Sequence, residues 1–225
     1  MNFTALLFGF ADNGNINSLS ARFRAARFRR FVELLRDAPG LVHVLDAGGT
    51  VETWRLYANA LPPNVNVTLL NLKFSEMPDL RGVSYETGDA RDLSRFPDRH
   101  FHVCFSNSLI EHVATFDEQQ VIANEIRRVC RGYFVQTPNL FFPLDPHFLV
   151  PAWQFLPISI RSRILQKSDL GWIKQVKDPL LALQTVQSIR LLCAREMKRL
   201  FPDSHTLREQ IGPLTKSLIA CRPIQ

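Results

Sequence analysis

Four short segments carry small or polar side chains directly after apolar runs of the sequence. Asp46 and the paired Gly48 and Gly49 follow the first run, and later runs end in Asn71, in Asp89-Ala90 and in Ser106-Asn107. Carboxylates, amides and hydroxyls bind polar ligands, and glycines allow a close approach of the backbone. A strand that ends in a glycine turn and opens a helix presents bare backbone to a nucleotide-like ligand. These segments therefore predict a binding crevice at one edge of a sheet.

A second group of reactive side chains lies beyond the fourth of these apolar runs. His112 is the candidate general base, because a neutral imidazole titrates near neutral pH, and Glu111 adjoins it. The alternative is that both residues begin a helix and form only structural hydrogen bonds. Asn139 and His147 are candidate substrate contacts further along the chain. Asp145-Pro146-His147 could touch a metal, but no cluster has convincing ligand spacing, so we predict no metal site.

Alternating strands and helices must position these residues. Apolar runs predict strands over 41–46, 65–71, 83–86, 101–106 and 132–137, with helices over 51–60 and 117–130 between them. Strands separated by helices in this way are typical of a parallel sheet with right-handed crossovers.

The pattern changes after the fifth strand. Prolines interrupt an aromatic stretch over 140–157, which excludes regular strands and long helices there. Ordered loops of this length usually have a function, so we expect a lid or substrate wall, with a simple packing flap as the alternative. Helices are predicted over 158–167 and 179–200, and the last strands over 206–208 and 214–220.

The N-terminal region combines an apolar stripe with many arginines. A helix is predicted over 18–36, after a loosely ordered lead-in over 1–17. Its stripe consists of Phe28, Phe31, Val32 and Leu35, and its remaining surface carries Arg22, Arg24, Arg27, Arg29 and Arg30. This surface is interpreted either as a solvated face or as a peripheral contact with an anionic membrane or polymer.

Composition sets the outer limits. The chain has 225 residues and a net charge of +6, which is typical of one globular domain over 1–225 and permits an anionic partner. Nucleic acid is not expected among the partners. The four cysteines form no C-x-x-C pair, so we expect reduced thiols and a cytoplasmic protein. We predict neither a signal peptide nor a membrane span.

The ordered segments resemble the class I S-adenosylmethionine-dependent methyltransferases, in particular the type 11 small-molecule group. The resemblance runs from about residue 40 to 138, and 214–220 looks like the last, antiparallel strand of that family. It implies an α/β, Rossmann-like, doubly wound sheet of seven mostly parallel strands, with the proline and aromatic lid inserted after strand five. The helical lead-in would be 1–38 and the lid insertion 139–200, both within the single domain.

The resemblance also implies roles for individual residues, with S-adenosylmethionine as the cofactor. Asp46 would lie near the amino end of the methionine moiety, and Gly48 and Gly49 would form a turn in which a Cβ would collide with the cofactor. Asn71 would contact the ribose, although the family usually has an acid there, and Thr50 replaces a further glycine. The remaining cofactor residues would be Asp89 and Ala90 at the adenine, Ser106 and Asn107 under the sulfonium, and Ala47 and Leu72.

Two other nucleotide-binding classes are disfavoured by their fingerprints. A dinucleotide-binding G-x-G-x-x-G starting at Gly48 would require glycine at Thr50 and Thr53, and no phosphate-binding G-x-x-x-x-G-K-[ST] occurs. We therefore expect methyl transfer to a small-molecule, lipid or glycan acceptor. The alternative is a binding or scaffold protein of the same fold with weak or absent catalysis, which the replacements at Thr50 and Asn71 favour.

Overall fold

The computed structural model describes residues 18–36, 38 and 40–224. The predicted lead-in over 1–17 lies outside the described residues. The first helix of the described residues, α1, spans Leu19–Leu35 and begins at Ser18, whose side chain accepts a hydrogen bond from the backbone N–H of Ala21. A side-chain acceptor at this position satisfies one of the free N–H groups of the first turn.

In the part of the chain that the structure describes, seven strands and five further helices follow. The strands are β1 (Val42–Ala47), β2 (Val65–Asn71), β3 (Val83–Thr87), β4 (Phe101–Asn107), β5 (Cys130–Pro138), β6 (His205–Ile211) and β7 (Leu214–Arg222). The helices are α2 (Val51–Tyr57), α3 (Phe116–Val129), α4 (Ile158–Leu165), α5 (Pro179–Gln187) and α6 (Ala194–Leu200). Short 3₁₀ turns lie at Ala58–Ala60, Ile110–His112 and Trp153–Phe155.

The strands form one sheet in the order β3-β2-β1-β4-β5-β7-β6. The first five in that order are parallel, whereas β7 is antiparallel to both β5 and β6. The predicted fold class is therefore confirmed. The order reverses between β1 and β4, and ligands of open α/β sheets bind at such a reversal, outside the carboxyl ends of the strands.

The sheet is covered on both faces, because successive side chains of a strand point to opposite sides. One face packs against α3 and α6, with Leu45, Cys104 and Ile126 in its core. The other packs against α1 and α2 through an aromatic core of Phe28, Phe31, Trp54, Phe105 and Phe134. Cys104, Cys130 and Cys221 are buried free thiols, and Cys193 is a half-buried free thiol.

The region after β5 has a small core of its own. Phe148 and Trp153 are buried against Leu165 of α4 and Val186 of α5. These two aromatic residues therefore pack inside the segment instead of lining an open wall. Whether the segment acts as a lid stays a prediction.

The predicted helix over 179–200 is wrong in one respect, since it is two helices. After α5 the chain runs extended: Arg190 N–H donates to the carbonyl of Glu111 at 2.8 Å, and Leu192 accepts from Leu140 N–H at 2.9 Å. These long-range backbone bonds replace the helical ones and separate α5 from α6. Among the described residues, no helix has the length and apolar character needed to cross a bilayer.

Candidate functional site

Asp46 lies at the carboxyl end of β1 and is almost completely buried. Its Oδ2 accepts a 2.6 Å hydrogen bond from the indole N–H of Trp54 in α2, whereas its Oδ1 is buried without a partner. Burial raises the pKa of Asp46 to about 7, and the hydrogen bond from Trp54 opposes the rise. A carboxylate with one unpaired buried oxygen is ready to accept a further donor or a cation.

The glycine turn after Asp46 is closely packed. Gly48 has a φ of +79°, and a Cβ there would lie 2.7 Å from Cδ1 of Leu109. A Cβ on Gly49 would lie 2.0 Å from Oδ2 of Asp46 and 2.3 Å from Leu69. Both glycines are therefore required by contacts within the chain. The implied reason, collision with a cofactor, is not needed to explain them.

Asn71, at the end of β2, is joined to the same turn. Its side-chain Nδ2 donates to the carbonyl of Gly49 at 2.9 Å, and its Oδ1 accepts from the backbone N–H of Leu72 at 2.8 Å. One amide hydrogen remains for another acceptor, because the side chain carries two. The side chain of Leu72 is exposed.

Asp89 is engaged by a neighbouring arginine. Its carboxylate accepts from Nε and Nη2 of Arg91, and Arg91 also reaches Glu118 in α3 at 2.7 Å. The hydrogen bonds from Arg91 lower the pKa of Asp89. Ala90, the next residue, is buried. An adenine amino group at this position would therefore compete with Arg91 for the carboxylate.

The end of β4 joins two structural networks. Ser106 is buried and its hydroxyl donates to the carbonyl of Ala47 at 3.0 Å, which links β4 to β1. The side-chain oxygen of Asn107 accepts from Arg27. Both side chains are thus held by protein partners at the edge where the sequence places the cofactor.

Arg27 is buried, contrary to its predicted place on the surface of α1. It contacts both carboxylate oxygens of Glu209 in β6, at 2.9 and 3.0 Å, and the side chain of Gln136 in β5 at 2.7 Å. Neither Gln136 nor Glu209 stands out in the sequence as a partner of an arginine. The sequence contains one indication that Arg27 is buried: it lies one helical turn before Phe31 and hence beside the apolar stripe.

A partly buried lysine of β7 adjoins this network. Nζ of Lys216 lies 4.8 Å from the centre of the Phe23 ring. Burial lowers the pKa of Lys216 to about 8, with Arg27 adding to the effect and Glu209 opposing it.

Glu111, His112 and His147 come together beyond the ends of β4 and β5; we call them the Glu111–His112–His147 cluster. Glu111 is fully buried and its Oε2 accepts from the hydroxyl of Thr137 at 3.0 Å. His112 is exposed, and its ring centre lies 4.9 Å from that of His147 in an edge-to-face arrangement. Nδ1 of His147 is 3.0 Å from Oδ1 of Asp145.

The pKa values of the two imidazoles of this cluster are shifted in opposite directions. Desolvation lowers the pKa of His112, and His147 adds to this, while Glu111 and Asp145 oppose it. Burial also disfavours the charged form of His147, but the hydrogen bond to Asp145 and the nearby carboxylates prevail, so its pKa is raised.

Asn139 does not join the cluster through its amide. Its side chain is buried, donates to the carbonyl of Thr215 at 2.8 Å and accepts from the backbone N–H of Phe141. These contacts fix the chain after β5, which is a structural role. Of the two predicted substrate contacts, the structure brings only His147 to His112.

Residues 48–134 match the sequence profile of the methyltransferase domain family Methyltransf_11. The match covers the glycine turn, β2 to β4 and the start of β5, in the sheet order described above. Residues 48–134 thus resemble a methyltransferase domain, and solved S-adenosylmethionine-dependent methyltransferases share the fold of the chain. A search of curated protein sequences finds no match to it.

Three solved structures illustrate the shared fold. The CurJ carbon methyltransferase aligns with a TM-score of 0.60 and 14% identity over 100% of this chain and 59% of its own. A SAM-dependent methyltransferase from Methanosarcina mazei aligns with a TM-score of 0.52 and 13% identity over 86% of this chain and 98% of its own. Human N-acetylserotonin methyltransferase, in complex with SAM, aligns with a TM-score of 0.51 and 11% identity over 92% of this chain and 54% of its own.

The chain therefore spans little more than half of the length of the first and third of these proteins. At such identities the likeness establishes the fold, and a fold hosts many different reactions. The acceptor depends on the side chains of the site itself.

Proposed function

We propose that this chain transfers a methyl group from S-adenosylmethionine to a small-molecule, lipid or glycan acceptor held at the Glu111–His112–His147 cluster. One observation carries the proposal. Leu109 packs on Gly48 of the β1 turn, and Glu111 follows two residues later with its carboxylate bound to Thr137 of β5. The glycine turn and the cluster thus belong to the same carboxyl edge of the sheet.

Two features of the β1–β2 edge suit the cofactor. The unpaired buried Oδ1 of Asp46 is an acceptor for an ammonium group, and the spare amide hydrogen of Asn71 is a donor for a ribose hydroxyl. The backbone around these groups would come from Ala47, Gly48, Gly49 and Leu72. The rest of the cofactor crevice would be lined by Asp89, Ala90, Ser106 and Asn107. When bound, S-adenosylmethionine supplies a methyl group on a positively charged sulfur, and transfer leaves the electron pair of the broken bond on that sulfur.

The chain's own residues have two tasks in this reaction. They hold the acceptor atom in line with the methyl group, and they remove the proton of a hydroxyl or other weak nucleophile. In our proposal His112 accepts that proton, because it is the exposed imidazole of the cluster. Buried Glu111 stabilises the imidazolium that forms, and His147 contacts the acceptor.

The region between β5 and α4 favours an acceptor with an apolar portion. Phe141 and Phe155 are both more than half exposed, and their rings stack at 6.4 Å with an angle of 21°. Exposed stacked rings suit the face of a sugar, a quinone-like ring or a lipid chain. In this proposal the segment 139–200 covers the acceptor as a lid.

The first test is calorimetric titration with S-adenosylmethionine and S-adenosylhomocysteine. We expect binding to the wild type, and a loss of about tenfold or more in Asp46→Asn, since a charge-assisted hydrogen bond contributes about 1.5–3 kcal/mol. Glu52→Gln, an exposed acid in α2, is the matched control and should bind normally. A wild type that binds neither compound would contradict the proposal.

A second experiment addresses the acceptor side. Pools of hydroxylated glycans, lipids and aromatic compounds are incubated with the chain and methyl-labelled cofactor. We expect a labelled product with the wild type and a strongly reduced rate with His112→Gln, while calorimetric cofactor binding by that variant is unchanged. Equal rates for the two proteins would remove His112 from the mechanism.

A second candidate function is binding without turnover. It is favoured by the engagement of Asp89 with Arg91 and of Asn71 with Gly49 and Leu72, because these residues are partly occupied by protein partners. Tight binding of cofactor with no labelled product from any acceptor pool would support this candidate over catalysis.

A further inference from the structure

The ligand atoms of Glu111, His112 and His147 all lie within 4.8 Å of one another. They come from two separate segments, the 3₁₀ turn after β4 and the loop after β5. Two imidazoles and one carboxylate are a donor set typical of catalytic zinc sites and of other borderline divalent cations. Sequence spacing gave no sign of this set, because the fold brings the third ligand to the other two.

Glu111 provides an independent indication of a missing partner. Its side chain is 0% exposed, Oε2 is bound to Thr137, and Oε1 is buried with no hydrogen-bond partner. A buried carboxylate oxygen without a partner is costly, by about 1–3 kcal/mol or more. A cation between Glu111 and the two imidazoles would satisfy it.

His147 is held in the orientation that a ligand requires. Oδ1 of Asp145 accepts hydrogen bonds from the backbone N–H of His147 at 2.8 Å and from Nδ1 at 3.0 Å. A hydrogen on Nδ1 leaves the lone pair of Nε2 free. Metal-binding histidines commonly donate their second ring N–H to a carboxylate in this manner, which fixes the ring and raises its basicity.

We propose that Glu111, His112 and His147 form a binding site for one divalent transition-metal cation of the Zn²⁺ type, with Asp145 as the residue that positions His147. The exposed ring of His112 closes the site by rotating toward the other two ligands. Three protein ligands leave a coordination position open.

The role of the cation rests on the proposed function. An acceptor hydroxyl at the open position would lose its proton more readily, because the positive charge stabilises the oxyanion. With the cation bound, His112 would be a ligand and not the base, and the proton of the hydroxyl would pass to solvent beside the exposed ring of His112.

The experiment is metal titration of the full chain after removal of metals with a chelator. We expect one Zn²⁺ per chain by calorimetry, and Co²⁺ should give the visible absorption of a nitrogen- and oxygen-coordinated ion. His147→Gln and His112→Gln should each weaken Zn²⁺ binding about tenfold or more, and Asp145→Asn should weaken it with all three ligands still present. His205→Gln, an exposed histidine of β6, is the matched control and should bind like the wild type.

Absence of Zn²⁺ binding to the wild type, or equal binding by His112→Gln and His147→Gln, would overturn the inference. Equal or tighter binding of Mg²⁺ would overturn the assignment to a nitrogen-preferring cation. Circular dichroism verifies that each variant is folded. Because His112 is exposed, His112→Gln should stay folded, and it keeps the test decisive if a variant at a more buried position unfolds.

Cofactor titration of the metal-free chain separates this inference from the proposed function. Cofactor binding without Zn²⁺ binding would refute the metal site alone. Zn²⁺ binding without cofactor binding would refute the methyltransferase proposal alone.

Discussion

Arg27 and Glu209, 182 residues apart, form a two-pronged ion pair in the interior. Both side chains are only 5% exposed. The pair joins α1 to the edge strand β6, and Gln136 and Asn107 bind the remaining guanidinium nitrogen. Parallel N–H bonds to both oxygens of a carboxylate combine strength with fixed geometry.

Removal of one partner of this pair should destabilise the chain strongly. We expect Arg27→Met to lower the free energy of unfolding by about 3–5 kcal/mol, because Glu209 is left buried without its counter-charge. Denaturant unfolding measures this change. Arg30→Met, on the exposed face of α1, is the control, and the double variant Arg27→Met/Glu209→Leu should recover much of the loss. A cost below about 1 kcal/mol for Arg27→Met would contradict the structure.

The pKa of about 7 at Asp46 makes stability depend on pH. Between the ordinary value of 3.8 and about 7 the folded chain keeps a proton that the unfolded chain loses. Stability is therefore highest below that window and falls as pH rises through it, by up to about 4 kcal/mol for this group. Asp46→Asn should lack this decline. Unfolding at pH 4.5, 6 and 8 tests this, and identical pH slopes for the two proteins would disprove it.

Two glycine substitutions should have different effects because the new methyl group meets different atoms. In Gly49→Ala the Cβ would lie 2.0 Å from the fixed carboxylate of Asp46, whereas in Gly88→Ala it would meet the movable end of Arg95. We expect Gly49→Ala to cost about 1–3 kcal/mol of stability and to weaken cofactor binding. Gly88→Ala should be close to neutral. Thermal unfolding with and without S-adenosylhomocysteine gives both readouts, and equal effects of the two substitutions would count against the packing described here.

Lys216 should add a pH dependence of opposite sign at alkaline pH. Its folded pKa of about 8 lies below the ordinary value of 10.5, so the unfolded chain binds more protons between these values. Stability relative to Lys216→Met should therefore rise with pH from about 8 to 10.5. Lys73→Met, at an exposed position, serves as the control and should show no such rise. If the difference in stability between wild type and Lys216→Met does not change with pH, the amine of Lys216 is solvated.

The local pattern was sufficient for most elements of the sheet. β2 spans Val65–Asn71 as predicted, and α1 begins after Ser18, because hydrophobic periodicity and capping residues act over a few neighbouring positions. It was not sufficient for 179–200, where periodic apolar residues indicated one helix. Hydrogen bonds from Arg190 to Glu111 and from Leu140 to Leu192 impose an extended stretch there, and such partners are invisible to local propensity.

The sequence by itself determined the α/β class, the order of the polar strand ends and the acid–glycine turn at Asp46, since each depends on neighbouring residues. Only the tertiary structure decided that Arg27 is buried against Glu209 and that His147 meets Glu111 and His112. Burial and proximity depend on how distant segments pack, and the free energy of a charge or a ligand depends on what surrounds it. The type of a residue determines which interactions and reactions its side chain can take part in. Its neighbours in the fold determine which of these occur.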